Sequence, residues 1–161
     1  MARALDLALL RLLRTRGHAP AVERGVLAFT RCGEHGMLWL AIGAAGALLD
    51  RRRAGLYRRE LRVVVTAYLT NIAVKYLIRR RRPELGGLPP LSSTVTSLSY
   101  PSAHSTTSFA AARVLSRALP AAPVYACAGA MALSRVYAGV HYPTDVGAGA
   151  LLGTAMAELV P

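Results

Sequence analysis

The 161 residues carry 20 Lys and Arg against 8 Asp and Glu, a formal charge of +12, while 53% of the side chains are hydrophobic. Apolar stretches and arginine clusters are therefore segregated along the chain, a pattern that suits a bilayer better than water. Aromatics make up only 6%, which argues against the basic, stacking-rich face of a nucleic-acid binder, so no nucleic-acid partner is expected. The length is that of one domain, 1–161, with an N-terminal interfacial segment over 1–35 and the main helical part over 58–160.

Residues 3 to 16 read as an amphipathic helix lying on a bilayer surface, with Leu5, Leu9, Leu12 and Leu13 on one side and Arg3, Arg11 and Arg14 on the other. Arg11 and Arg14 also break the first apolar run, so it does not read as a cleavable signal. A stretch from about 22 to 35 follows, interrupted by Gly33 and Gly36. Four or five membrane helices are predicted next, at about 36–50, 58–80, 103–119, 121–140 and 145–160. Several fall short of the roughly 20 residues that span a bilayer. Residues 84–100, rich in Gly, Pro and Ser, form the one long loop. Cys32 and Cys127 have no metal-ligand spacing. The fold class is thus all-α, an integral-membrane helical bundle with an N-terminal interfacial helix.

Lys75 is the only lysine beside nineteen arginines. On a continuous helix Asn71, Lys75, Arg79 and Arg82 share one polar stripe, while Arg80 and Arg81 point elsewhere, towards lipid headgroups. An ammonium inside an apolar helix needs a polar cavity. Pro101-Ser102-Ala103-His104 opens the following helix, where free backbone N–H groups and the dipole favour an anion. Ser134-Arg135 closes a later helix, and His141 and Asp145 follow, spaced so that the carboxylate can bond one imidazole nitrogen and leave the other free. Taken singly, Ser102 reads as an N-cap, His104 as an interfacial histidine and Asp145 as a helix-start acid. Together the cations, hydroxyl, imidazoles and carboxylate supply what nucleophilic cleavage of a phosphate ester requires.

The ordered set Lys75-x6-Arg82-Pro83, Pro101-Ser102-x-His104 and Ser134-Arg135-x5-His141-x3-Asp145 resembles the three signature motifs of the type 2 phosphatidic acid phosphatase superfamily. One position departs: Ala103 stands where the family pattern usually has glycine. The resemblance implies that His141 attacks phosphorus to form a phosphohistidine, that Asp145 orients it, and that His104 protonates the leaving alkoxide and then activates water. It also implies that Lys75, Arg82 and Arg135, with Ser102 and the Ala103 N–H, hold the phosphate. No metal and no cofactor are expected, since fixed cations replace magnesium.

The partners implied are a lipid phosphate and the bilayer; oligomeric state stays open. Chain length and the Gly33-Glu34-His35-Gly36 element look most like the small actinobacterial branch acting on decaprenylphosphoryl-5-phosphoribose. Rival substrates are undecaprenyl diphosphate, phosphatidate and phosphatidylglycerophosphate. A rival of another class is an inactive lipid-binding protein. Glu34 and His35 read as structural at a helix break, with headgroup contact as the alternative. Alternating helices would bring all three motifs to one membrane face. Arg51, Arg52, Arg53, Arg58, Arg59 and Arg62 at the other end, set against six arginines in the first 35 residues, tip the balance towards an extracytoplasmic site.

Overall fold

Small and hydroxylated side chains dominate the centre of this molecule, and that choice sets how closely its helices approach. A computed structural model describes residues 2–161, the side chains of residues 2 and 3 excepted, so the placement of Arg3 lies outside the described residues. The helices are α1 (Ala2–Thr15), α2 (Pro20–Cys32), α3 (Met37–Leu49), α4 (Ala54–Ile78), α5 (Ala103–Leu115), α6 (Ala121–Tyr137) and α7 (Pro143–Leu159), with a 3-10 turn Glu34–Gly36 between α2 and α3. No strand occurs among the described residues, so the fold is all-α.

α5 is the central helix, packed against α4, α6 and α7. Its Ser105, Thr106, Thr107, Ser108, Ala110, Ala111, Ala112, Val114 and Leu115 are buried. Small residues let backbones approach where there is no hydrophobic drive between helices, and hydroxyls then bond across them. Ser105 Oγ donates to Val146 O at 2.7 Å, Asn71 Nδ2 to Thr106 Oγ1 at 2.9 Å, and Trp39 Nε1 to Ser108 Oγ at 2.8 Å. Gly149 and Gly153 form the matching face of α7. A Cβ on Gly153 would stand 2.1 Å from Thr106 O.

Many large apolar side chains face outward: Leu49 is 86% exposed and Leu77 79%. Such an apolar periphery belongs to a bundle in contact with lipid. α4 is the one described helix long and apolar enough to cross a bilayer by itself, and α2 together with Glu34–Leu49 forms a second such segment bent by 50°. α5, α6 and α7 have 13, 17 and 17 residues, a rise of about 20–25 Å, less than the hydrocarbon core of roughly 30 Å. The four or five spans expected from the sequence are therefore mostly short elements.

Two local expectations are corrected. α1 exposes Leu5, Leu9, Leu12 and Leu13 and buries Asp6, Leu10 and Arg14. Leu10 packs on Val136 and Tyr142, and Arg14 leaves the polar surface to donate to Pro89 O at 2.9 Å. α4 stops at Ile78, before the arginine run, because Arg79 takes a left-handed conformation (φ 56) and its N–H bonds Lys75 O. Arg79 is accordingly exposed and leaves the expected stripe, and Arg82 sits on extended chain paired with residues 96–98.

At the other end, Arg53, Arg59 and Arg62 donate to the carbonyls of Ala118, Ala157 and Pro161. Cations there meet the negative ends of the helix dipoles. Gly153→Ala should cost about 2 kcal/mol or more, because the obstacle is backbone and cannot rotate away. Thermal denaturation in detergent would register this as a lowered Tm.

Candidate active site

The ends of α4 and α6 and the starts of α5 and α7 meet at one end of the bundle. Ser102 N–H bonds Asp145 O at 3.0 Å, fixing the start of α5 to that of α7, and Leu91 N–H bonds Ala138 O, fixing the long loop to the end of α6. Between them lies a cavity of about 450 Å³ whose wall includes Lys75, Arg82, Ala103, His104, Arg135 and His141. Ser102 and Asp145 are fully buried just behind that wall.

The cations are held by identifiable partners. Lys75 Nζ donates to Pro101 O at 2.8 Å. Arg82 Nε donates to Thr96 O and its Nη1 to Val140 O, both at 2.8 Å. The same Nη1 lies 3.1 Å from His141 Nε2. A guanidinium only donates, so Nε2 of His141 carries the lone pair and Nδ1 the proton. Nδ1 lies 3.5 Å from Asp145 Oδ2, so the carboxylate faces the N–H edge of the ring at a distance long for a hydrogen bond.

His104 Nε2 donates to Thr30 O at 3.1 Å, which leaves Nδ1 as the nitrogen able to exchange a proton without breaking that bond. Thr30 also accepts from Arg135 Nη1 at 2.8 Å and from Ser134 Oγ at 2.9 Å through its own Oγ1. One threonine of α2 thus sets two site residues, and its type and position gave no sign of it in the sequence. The Ser102 hydroxyl does not cap α5. It is buried with no hydrogen-bond partner, so the N-cap reading is corrected.

Arg80 also departs from expectation. Rather than pointing to headgroups, its Nη1 donates to Asp145 Oδ1 and its Nη2 to Asp6 Oδ2, both at 2.8 Å, and its guanidinium stacks 4.0 Å over the Tyr142 ring. Asp6 accepts further bonds from the Thr144 N–H and hydroxyl. Burial would raise the Asp6 carboxyl, but the Arg80 and Thr144 bonds outweigh it and hold it below its ordinary value. Asp145 Oδ2 takes the Tyr142 N–H at 2.9 Å. The carboxylate facing His141 is thereby fixed on both oxygens.

Burial lowers the His141 pKa to about 3; Asp145 opposes the shift, and the nearby Arg82 and Arg135 reinforce it. The ring is neutral at physiological pH. Arg82 is lowered by burial to about 10, countered by Asp145, and keeps its charge. An uncharged imidazole lone pair, a second imidazole and three cations facing one cavity can carry out nucleophilic substitution on an anionic ester. Among the described residues no three His, Cys, Asp or Glu side chains gather as metal ligands.

Two outcomes follow from this geometry. Arg80→Met should lower kcat at least about ten-fold while changing KM little, since it frees Asp145 without touching the cavity; steady-state kinetics measure the split. Arg82→Gln removes a cation that disfavours imidazolium, so the His141 pKa rises. Because the neutral ring is lost as pH falls through that pKa, the acid limb of kcat/KM should move to higher pH.

Comparison with known proteins identifies the family and the fold. A family model described as the PAP2 superfamily matches residues 61–161. Decaprenylphosphoryl-5-phosphoribose phosphatase of Mycobacterium tuberculosis is 37% identical over 144 residues, 87% of this chain and 77% of that protein. The protein of the same name from Mycolicibacterium smegmatis is 38% identical over 130 residues, 79% and 71% of the two chains. The crystal structure of Aquifex aeolicus LpxE superposes with a TM-score of 0.82 at 23% identity, over 97% of this chain and 94% of that one, a likeness of fold. The transmembrane PAP2-type phosphatidylglycerolphosphate phosphatase of Bacillus subtilis gives 0.79 at 28% identity, over 99% and 84%.

Proposed function

The chain belongs to the PAP2 superfamily and is a phosphatase, and from that premise we propose that it removes the terminal phosphate of decaprenylphosphoryl-5-phosphoribose, or a closely similar polyprenyl lipid, at the membrane surface. The observation that carries the reaction type is that His104, His141, Lys75, Arg82 and Arg135 all line one cavity. The substrate reading is supported by the mycobacterial relatives, whose alignments cover 87% and 79% of this chain.

In the first step His141 Nε2 attacks phosphorus. The P–O bond to the sugar breaks as the N–P bond forms, and the leaving alkoxide takes the Nδ1 proton of His104, which enters this step as the imidazolium with its Nε2–H still on Thr30 O. In the second, His104 takes a proton from water, which attacks phosphorus and releases phosphate from His141. Arg82 is bonded to the nucleophilic nitrogen in the resting site. A phosphate oxygen competing for that guanidinium would free the lone pair as substrate binds. Lys75 and Arg135, with Ser102 and the Ala103 N–H, complete the set that neutralises the equatorial oxygens. Asp145, clamped by Arg80 and the Tyr142 N–H, keeps the His141 proton on Nδ1. The Ala103 methyl leaves its N–H intact. The whole chain acts as one catalytic domain, and no metal takes part.

The exposed leucines of α1 rest in the headgroup layer, and the bundle crosses the membrane several times as a multi-pass protein. The arginines at 51–62, by the positive-inside rule, put that end in the cytoplasm and the cavity on the outer face.

Purified enzyme should release phosphate from the phosphoribosyl lipid faster than from prenyl diphosphate or phosphatidate. Release should persist in excess chelator and be blocked by vanadate, a mimic of five-coordinate phosphorus. His141→Ala should abolish turnover and His104→Ala should nearly do so, most severely with poor leaving groups. Full activity of folded His141→Ala protein would overturn the nucleophile, and strict magnesium dependence would overturn the mechanism.

A further inference from the structure

One wall of the cavity has no part in the chemistry just described. The turn Gly33–Gly36 brings Glu34 and His35 to the cavity, and α4 adds Tyr68 beside them. The turn is strained: His35 has φ 53 and ψ 18, a left-handed conformation that non-glycine residues adopt at a cost. It is also closely fitted. A Cβ at Gly33 would stand 2.4 Å from Met131 Sδ, and Gly36, at φ 77, sits against Val64 and Thr107. Strain held this firmly beside a reaction cavity calls for a function.

The side chains indicate which. His35 Nδ1 lies 2.6 Å from Tyr68 OH, with the two rings edge-on at 81°. The phenol fixes the imidazole and leaves Nε2 to make a bond of its own. Glu34 is exposed to the cavity, and it acts on Arg135 electrostatically. A carboxylate there weakens the hold of the site on a bare phosphate. It becomes useful if the group attached to the phosphate offers hydroxyl donors, because an ionised carboxylate accepts two at once. Ser93, Thr94 and Thr96 on the long loop add neutral partners along the same cavity.

We propose that Glu34, His35 and Tyr68 form a subsite for a vicinal diol carried next to the scissile phosphate, with Glu34 accepting from both hydroxyls and His35 oriented by Tyr68 to bond one of them. The inference rests on the substrate reading above, since a ribose carries such a pair while phosphatidate and prenyl diphosphate carry none. It makes the headgroup, rather than the lipid tail, the basis of selection.

The test uses three lipids: prenylphosphoryl-5-phosphoribose, its 2,3-dideoxyribose analogue, and phosphatidate. Wild-type enzyme should prefer the ribose over the dideoxyribose lipid in kcat/KM by about ten-fold or more, as sites built to bond hydroxyls do. Glu34→Gln should collapse that ratio. Tyr68→Phe, which removes only the hydroxyl holding His35, should lower it in the same direction, and Glu34→Asp should restore part of it. Equal losses on both sugar lipids, with the ratio intact, would show Glu34 to be merely a countercharge for Arg135 and would overturn the subsite while leaving the substrate reading in place. A wild-type enzyme that hydrolyses phosphatidate but neither sugar lipid would overturn both.

Discussion

The bond from Ser102 N–H to the Asp145 carbonyl joins two helix starts that are 43 residues apart in the chain, counting from 102 to 145. His104 follows the first of these residues by two and His141 precedes the second by four, so this contact fixes the spacing of the imidazoles. It forms only because α5 and α7 approach closely through Gly149 and Gly153, whose absent side chains admit the carbonyls of Ser102 and Thr106. Helix packing and site geometry are therefore one constraint. A bulkier residue at either glycine would press on both.

Electrostatically the cavity is organised for an anion before one arrives. Lys75 and Arg82 are each turned inward by bonds to backbone carbonyls, and Arg135 by the hydroxyl of Thr30. Carbonyl and hydroxyl oxygens orient a cation without neutralising it, so the charge stays available to a phosphate. Asp145, which could neutralise it, is committed instead to Arg80 and the Tyr142 N–H. Fixed dipoles and cations of this kind need no reorganisation during the reaction, and such preorganisation is the largest single source of catalytic advantage in many enzymes.

The sequence made the helices legible because apolar runs bounded by Gly, Pro and Arg clusters leave few other readings. The cavity-lining cations and imidazoles were legible because a lone lysine and ordered Arg, His and Asp spacings are improbable in so biased a composition. What stayed hidden depended on contacts between distant positions. The helical stripe carried past Ile78 to Arg82 failed because periodicity cannot register a left-handed residue such as Arg79. Arg80 pairs with Asp6 at a separation of 74 residues, and Thr30 reaches Arg135 across 105. Neither partner stands out in its local sequence. Ser102 at a helix start reads as a cap on propensity alone, whereas burial against α7 leaves its hydroxyl free of that duty.

α1 has the composition of a peripheral float, with four leucines turned outward. Its inner side nevertheless supplies Asp6 to Arg80, Leu10 to the packing around Tyr142, and Arg14 to Pro89. Trimming the first fifteen residues as a dispensable leader, a common step in preparing a protein for expression, would strip one of the two carboxylates from Arg80 and open a gap beside the turn that bears His141. The part of the chain that looks most expendable is a brace of the reaction centre.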